Sequence, residues 1–260
     1  MKNIGIIGCG WLGSRIAKIL SAKYTIYATT TSVDKIRLLE NEGIIPTLIN
    51  FRKDKDSEKV IQWKEIDLLD AVIITLPFSE KRENAEQLKI KLSRLHSFTG
   101  DFQGQVFFMS STGVYPDIKK EFFEFDLPSE DVLGENMMKS LFPQINILRL
   151  SGLMGDDRLL SRYNVSDLQS PVNHIHYADI AAVIDQMIEV KSSGKLYNVT
   201  APQHPTKAEV INRQKNIPYE ENNREIGRVI FSQKMISELD FVFTYPDPVF
   251  FHINDNSGLS

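Results

Sequence analysis

Six residues near the amino terminus carry the sharpest chemical signal: Gly8-Cys9-Gly10-Trp11-Leu12-Gly13, directly after the apolar run Ile4–Ile7 and directly before a segment of helical period from Ser14. Each glycine answers a separate need. Gly8 lets the chain turn tightly, Gly10 leaves room for a pyrophosphate to approach the backbone, and Gly13 permits close packing of helix on strand. The helix start, with Trp11 and Leu12, offers amide N–H groups and a partial positive charge to the anion. The ligand expected is a dinucleotide. Cys9 reads as a small residue in a crowded turn rather than a redox centre. An NAD-preferring site ends its second strand on a carboxylate that binds the ribose 2′-hydroxyl. Here the chain runs Thr29-Thr30-Thr31-Ser32, with Lys35 and Arg37 just beyond. That row of neutral donors with cations behind it favours NADP, with NAD the alternative. The same residues also fit a helix cap, with Thr31 and Asp34 as a capping box. Thr75-Leu76-Pro77 closes another buried run where cofactors of open α/β sheets lie.

The elements that must position these groups follow from periodicity. Short apolar runs at Ile4–Ile7, Tyr24–Ala28, Ile44–Ile49, Ala71–Leu76, Val106–Met109, Ile145–Leu150 and Leu196–Val199 alternate with helix-period segments, as in a parallel sheet covered on both faces. Helices are expected over Ser14–Leu20, Asn84–Leu95 and Ile180–Ile188, and Thr206-Lys207-Ala208-Glu209 is a capping-box start. On the second helix, Lys81, Arg82, Lys89, Lys91 and Arg94 are interleaved with Glu80, Glu83 and Glu86, which reads as a solvated face. The fold class is α/β, a doubly wound parallel sheet. Residues 1–150 form the dinucleotide-binding core, and residues 151–260 return one helix and one strand to it and build a small substrate lobe.

Ser110-Ser111-Thr112-Gly113-Val114-Tyr115 resembles the fifth-strand motif of the extended short-chain dehydrogenase/reductases, the nucleotide-sugar epimerases and dehydratases. Arg149-Leu150-Ser151-Gly152-Leu153-Met154-Gly155 is similar to that family's sixth-strand exit. Asn173–Ala181 resembles its hinge into a late helix, and Tyr197-Asn198-Val199 its last core strand. The resemblance spans about 200 residues and implies a Rossmann-like fold, with Ser110 near the cofactor. It also implies that Ser111 takes the place of the Ser or Thr that hydrogen-bonds the reacting oxygen. In that family a Tyr and a Lys four residues apart follow, the Tyr as general acid/base. No such pair follows the serine motif here. If Lys139 is the family Lys, Glu135 stands in the Tyr position; if Glu135 is the acid eight residues beyond the Tyr, Leu127 and Asp131 occupy the pair. The chain therefore resembles the atypical members that lose or relocate this Tyr, and Tyr115 is the phenol nearest to a replacement.

Other groups are weaker candidates. His174 and His176 share one face of an extended segment, but no third ligand completes a metal site. Arg149 and Arg158 could meet a phosphorylated substrate, and Phe122, Phe123 and Phe125 form an apolar cluster suited to packing.

Composition bounds the rest. At 260 residues, 42% hydrophobic and 25% charged, the chain folds without staples. Thirty basic residues against 34 acidic ones give a net charge of −4, with no excess to draw nucleic acid or anionic lipid. A single cysteine excludes an intrachain disulfide framework and suits the cytoplasm. Apolar runs are too short to span a bilayer or to form a signal core, so the amino terminus reads as mature structure. The expectation is an NAD(P)-dependent oxidoreductase or epimerase-like enzyme acting on a small carbonyl or sugar-nucleotide-like substrate. A non-catalytic dinucleotide-binding redox sensor or scaffold is the alternative. Substrate and oligomeric state are not legible.

Overall fold

A computed structural model describes residues 1–51, 61–218 and 227–253. In chain order the elements are β1 (Asn3–Ile7), α1 (Trp11–Leu20), β2 (Thr25–Thr30), α2 (Val33–Asn41), β3 (Ile45–Leu48), β4 (Ala71–Ile74), α3 (Ala85–Thr99) and β5 (Gln105–Ser111). Then come β6 (Glu121–Phe122), α4 (Leu133–Leu141), β7 (Asn146–Leu150), β8 (Gly152–Met154), β9 (His174–His176) and α5 (Tyr177–Glu189). The chain closes with β10 (Leu196–Val199), α6 (Lys207–Gln214), β11 (Val229–Ile230) and α7 (Gln233–Leu239).

Seven strands form one parallel sheet in the order β10-β7-β5-β4-β1-β2-β3, so every strand anticipated from an apolar run is in it. Because β1 lies between β2 and β4, with Ile4 opposite both Ile26 and Ala71, the chain winds one way from β1 to β3 and the other way from β4 onward. The reversal leaves a crevice at the carboxyl ends of β1 and β4, where open α/β sheets bind ligands.

The chain divides into two compact units that interleave, rather than at one cut near residue 150. The first comprises Met1–Ser110, Pro128–Leu148 and Ile184–Leu196; the second comprises Ser111–Leu127, Arg149–Val183 and Tyr197–Ser260. The boundary therefore runs within β5, β7, α5 and β10.

In the first unit, Ile7, Val72, Ile74, Phe108 and Ile147 from the strands pack with Leu88, Leu95 and Phe98 of α3 and Met138 of α4. Trp63 stacks on Phe98 at 5.0 Å, and Phe51 meets the same ring edge-on at 5.3 Å. α3 starts at a full capping box, Asn84 Oδ1 accepting from Gln87 N and Gln87 Oε1 from Asn84 N, both at 2.9 Å. In the second unit β6 pairs with β11 and β8 with β9, all parallel. α6 carries the capping box read from the sequence, Thr206 Oγ1 accepting from Glu209 N at 3.1 Å.

Candidate dinucleotide site and its surroundings

The glycine turn has the conformation its residue types require. Gly8 sits at φ +101°, and a Cβ there would lie 2.8 Å from Thr75 Oγ1 and 2.9 Å from Leu76 Cδ2. Gly8 N donates to Thr29 Oγ1 at 2.8 Å, Cys9 N to Thr29 O at 2.7 Å, and Thr75 Oγ1 to Gly8 O, so β1, β2 and β4 all fix the turn. A Cβ on Gly13 would fall 2.5 Å from Gly8 O, the close approach of helix to strand exit. Gly10 differs: a Cβ there would meet nothing within 4 Å. The open space lies at the start of α1, whose first N–H groups have no intrahelical acceptor, and this shape and donor set fit a pyrophosphate. Cys9 is buried, and burial pushes its thiol up to about 11, so it stays protonated at neutral pH.

Beside the turn lies a cavity of about 460 Å³. The turn contributes Gly8, Cys9 and Gly10; the exit of β2 contributes Thr29–Ser32, with Lys35 from the first turn of α2. The segment directly after β4 supplies Thr75, Leu76 and Pro77. Trp11, Leu12 and Gly13 form the start of α1 without lining this cavity, and Ser110 is also outside its wall. No carboxylate is among the described lining residues, and Lys35 Nζ reaches Cys9 O at 3.4 Å. The capping box expected at Thr31 does not form: Ser32 is the cap residue, without a side-chain cap bond, and its N–H donates to Thr30 Oγ1 at 3.2 Å. The hydroxyls of Thr31 and Ser32 are thus not spent on the helix cap.

Two contributions escaped sequence reading. Ile49, Asn50 and Phe51 line the cavity from the exit of β3, where a polar–aromatic pair after an apolar run was the available signal. Lys91 also lines it. Rather than joining the solvated face of α3, it is 5% exposed, donates to Pro77 O at 3.0 Å and pairs with Glu83.

At the end of β5, Ser110 Oγ donates to Glu135 Oε1 at 2.6 Å. Glu135 sits on α4 and is 1% exposed. The helix lies hard against the segment after β4, since a Cβ on Gly134 would come 2.2 Å from Phe78 O. Lys139, one turn further along α4, donates to Ser129 Oγ at 3.1 Å and pairs with Glu130.

The remaining candidates lie in the second unit. Ser111 is exposed, and its Oγ accepts from Gly113 N at 3.1 Å. Tyr115 is 2% exposed; its hydroxyl donates to Asn198 Oδ1 at 2.8 Å and accepts from Arg149 Nη1 at 2.9 Å. Burial raises its pKa despite the opposing Arg149 guanidinium, the reverse of what a phenolic base at neutral pH requires. Tyr115 and Lys119 do stand four residues apart, a spacing that sequence reading passed over, but no helix joins them, and the Tyr is buried while the Lys is exposed. Arg149 is fully buried against Tyr115 and is not presented to a phosphate. Arg158 closes a tight turn, its N–H donating to Gly155 O at 3.0 Å. His174 lies buried against Gly152, while His176 stacks on Tyr245 at 3.8 Å. Among the described residues no group of three potential metal ligands occurs. Phe122 packs with Tyr115 and Ile230, whereas Phe125 is 78% exposed.

No protein-family model matches the chain. "Protein YeeZ" of Escherichia coli strain K12 is 27% identical over 274 residues, covering 96% of this chain and 98% of that protein. Among solved structures, a UDP-glucose 4-epimerase aligns with a TM-score of 0.70 at 15% identity, over 96% of this chain and 95% of the other. UDP-glucuronic acid 4-epimerase from Bacillus cereus, in complex with NAD, aligns with a TM-score of 0.70 at 14% identity, over 96% and 94%. At such identities the likeness is one of fold: the chain has the Rossmann-like α/β architecture of these epimerases. No helix among the described residues is long and apolar enough to cross a membrane.

Proposed function

We propose that the chain is an NAD(P)-dependent oxidoreductase or epimerase-like enzyme of the atypical kind, without the helical Tyr and Lys pair, acting on a small carbonyl or sugar-nucleotide-like substrate in the cytoplasm. The observation that carries this reading is the turn itself. Gly8 holds a left-handed conformation, Gly13 touches Gly8 O, and only Gly10 faces open space at the start of α1. The first amides of α1 would hold the pyrophosphate, and the cavity walls at β2 and β3 would hold the adenosine.

Thr31, Ser32 and Lys35 favour NADP over NAD, because a 2′-phosphate meets hydroxyl donors and an ammonium, with no carboxylate among the described lining residues to repel it. When bound, the nicotinamide supplies hydride transfer, so the chain has mainly to orient the reactants and manage the proton. Ser111 is assigned the hydrogen bond to the reacting oxygen, since its exposed hydroxyl accepts from Gly113 N and keeps its proton to donate. Tyr115 is assigned to the second unit's packing.

Calorimetric titration with NAD⁺, NADP⁺ and their reduced forms tests the reading. NADP(H) is expected to bind more tightly than NAD(H). Lys35→Ala should weaken NADP(H) about tenfold, the loss of one charge-assisted contact, and leave NAD(H) within about twofold. Absence of heat with all four coenzymes refutes the site. Nicotinamide absorbance over a panel of carbonyl compounds and nucleotide sugars then reads turnover, and full activity in Ser111→Ala would remove Ser111 from the chemistry.

A further inference from the structure

Lys91 is a cation within the first unit, 5% exposed, on the wall of the cavity assigned to the coenzyme. An ammonium carries three N–H donors. Two are spent, one on Pro77 O at 3.0 Å and one on Glu83 Oε2. The third has no acceptor among the described residues; the Phe78 ring lies beside it, its centroid 5.2 Å from Nζ. Leaving a buried donor unpaired is costly, and one on a cavity wall calls for an acceptor on the ligand. Because Glu83 balances the charge, Lys91 serves as a hydrogen-bond donor more than as an attractor of anions.

The chain winds in opposite senses from β1 and from β4, so right-handed crossovers put α2 and α3 on opposite faces of the sheet. Lys35 of α2 and Lys91 of α3 therefore reach one cavity from opposite sides. The ribose and its 2′-phosphate belong to the first side, with Thr31, Ser32 and Lys35. A purine on that ribose turns the edge remote from its glycosidic bond, with N1 and the 6-substituent, towards the second. Ile49, Phe51 and Leu76 offer apolar surface to the ring faces. We propose that Lys91 makes the site specific for adenine: its third N–H donates to N1 of the base, and Pro77 O, through its second lone pair, accepts from the 6-amino group. The inference rests on the coenzyme site proposed above. Adenine presents an acceptor at N1 and a donor at the 6-position, whereas hypoxanthine and guanine present N1–H and a carbonyl oxygen, the reverse order. Either of these would set N–H against N–H and C=O against C=O, on a wall whose ammonium Glu83 and Pro77 hold in place.

Calorimetric affinities for NADP⁺ and NAD⁺, each against its analogue with hypoxanthine in place of adenine, test the proposal without a substrate. The members of each pair differ only at N1 and the 6-position of the base. The wild type is expected to bind the adenine coenzyme about tenfold or more tightly than the analogue. Lys91→Met, which keeps the length of the side chain and loses every N–H, should lower that ratio about fivefold or more. The double variant Glu83→Gln/Lys91→Met, which also removes the carboxylate left without its partner, should lower it as far. A wall that merely loosens weakens both coenzymes together and leaves their ratio unmoved. A wild-type ratio near one, or a ratio unchanged in a folded variant that still binds both, overturns the role of Lys91 and leaves the coenzyme site standing. No binding of NADP⁺ or NAD⁺ by the wild type overturns both. Should neither variant fold, the wild type decides alone, and hypoxanthine bound as tightly as adenine overturns the proposal.

Discussion

Two alanines three residues apart should behave oppositely. Gly10 has φ −80° and ψ −151°, angles open to an L-residue, and its added methyl would meet no atom within 4 Å. Gly10→Ala gains about 0.4–1 kcal/mol by restricting the unfolded chain and gives back about 0.5–1 kcal/mol at the helix cap. Stability should stay within about 0.5 kcal/mol, so Tm should move by no more than about 2 °C for a chain of this length. The same methyl fills the space through which a pyrophosphate reaches the amides of α1, and lifting the phosphates away should weaken coenzyme binding at least tenfold, about 1.4 kcal/mol. At Gly13 the methyl would be forced to 2.5 Å from the carbonyl oxygen of Gly8, a backbone atom held by Thr75. Opening that contact costs about 2–3 kcal/mol, and Tm should fall by about 4–10 °C. Calorimetric melting paired with NADP⁺ titration separates the two. A Gly10→Ala protein that binds coenzyme as the wild type does would refute the placement of the phosphate, and one that melts as low as Gly13→Ala would refute the claim that the space is open.

Tyr115→Phe removes a hydroxyl that bridges Arg149 and Asn198 in a buried position and should cost about 2 kcal/mol in urea unfolding. Coenzyme affinity should stay unchanged, and a loss of affinity without a loss of stability would mean that the phenol serves the site instead. His174 is one pH-sensitive group of the second unit: desolvation lowers its pKa from the ordinary 6.5 to about 4, and its Nδ1 has no hydrogen-bond partner among the described residues. The unfolded chain therefore takes up the proton first. The stabilisation is complete above about pH 6.5, falls away as pH drops towards about 4, and amounts to about 3 kcal/mol. Unfolding midpoints of wild type and His174→Asn between pH 7 and pH 4 should differ in slope by that amount, and parallel curves would contradict a neutral buried imidazole.

What could be read from sequence tracks what is locally determined. The main-sheet strands other than the edge strand β3 are apolar or β-branched runs such as Ile4–Ile7 and Ala71–Ile74, buried enough on both faces that a continuous run is their signature. The glycine turn was legible for a related reason, since its glycines answer to backbone geometry within a few residues. The small strands were not. Glu121–Phe122 pairs with Val229–Ile230 across more than a hundred residues, and a two-residue strand has no period to detect. Nor was the interleaving of the units, which depends on where Ser111–Leu127 packs rather than on any compositional break.

The helix that carries Glu135 failed for a more informative reason. The buried positions of α4 include Gly134 and Glu135 beside Met138, so the face turned inward has a glycine and a carboxylate where an amphipathic pattern calls for apolar side chains. Lys91 was misread in the same way, as a cation at a position whose neighbours one turn away are Leu88 and Leu95. Burying either charge is costly unless partners offset the desolvation, and the fold supplies them: Ser110 for Glu135, and Pro77 O with Glu83 for Lys91. Lys91 lines the cavity, and Glu135 lies behind Ser110 at the end of β5. Hydrophobic patterning fails at these two helix faces because each holds a charge on its inner side.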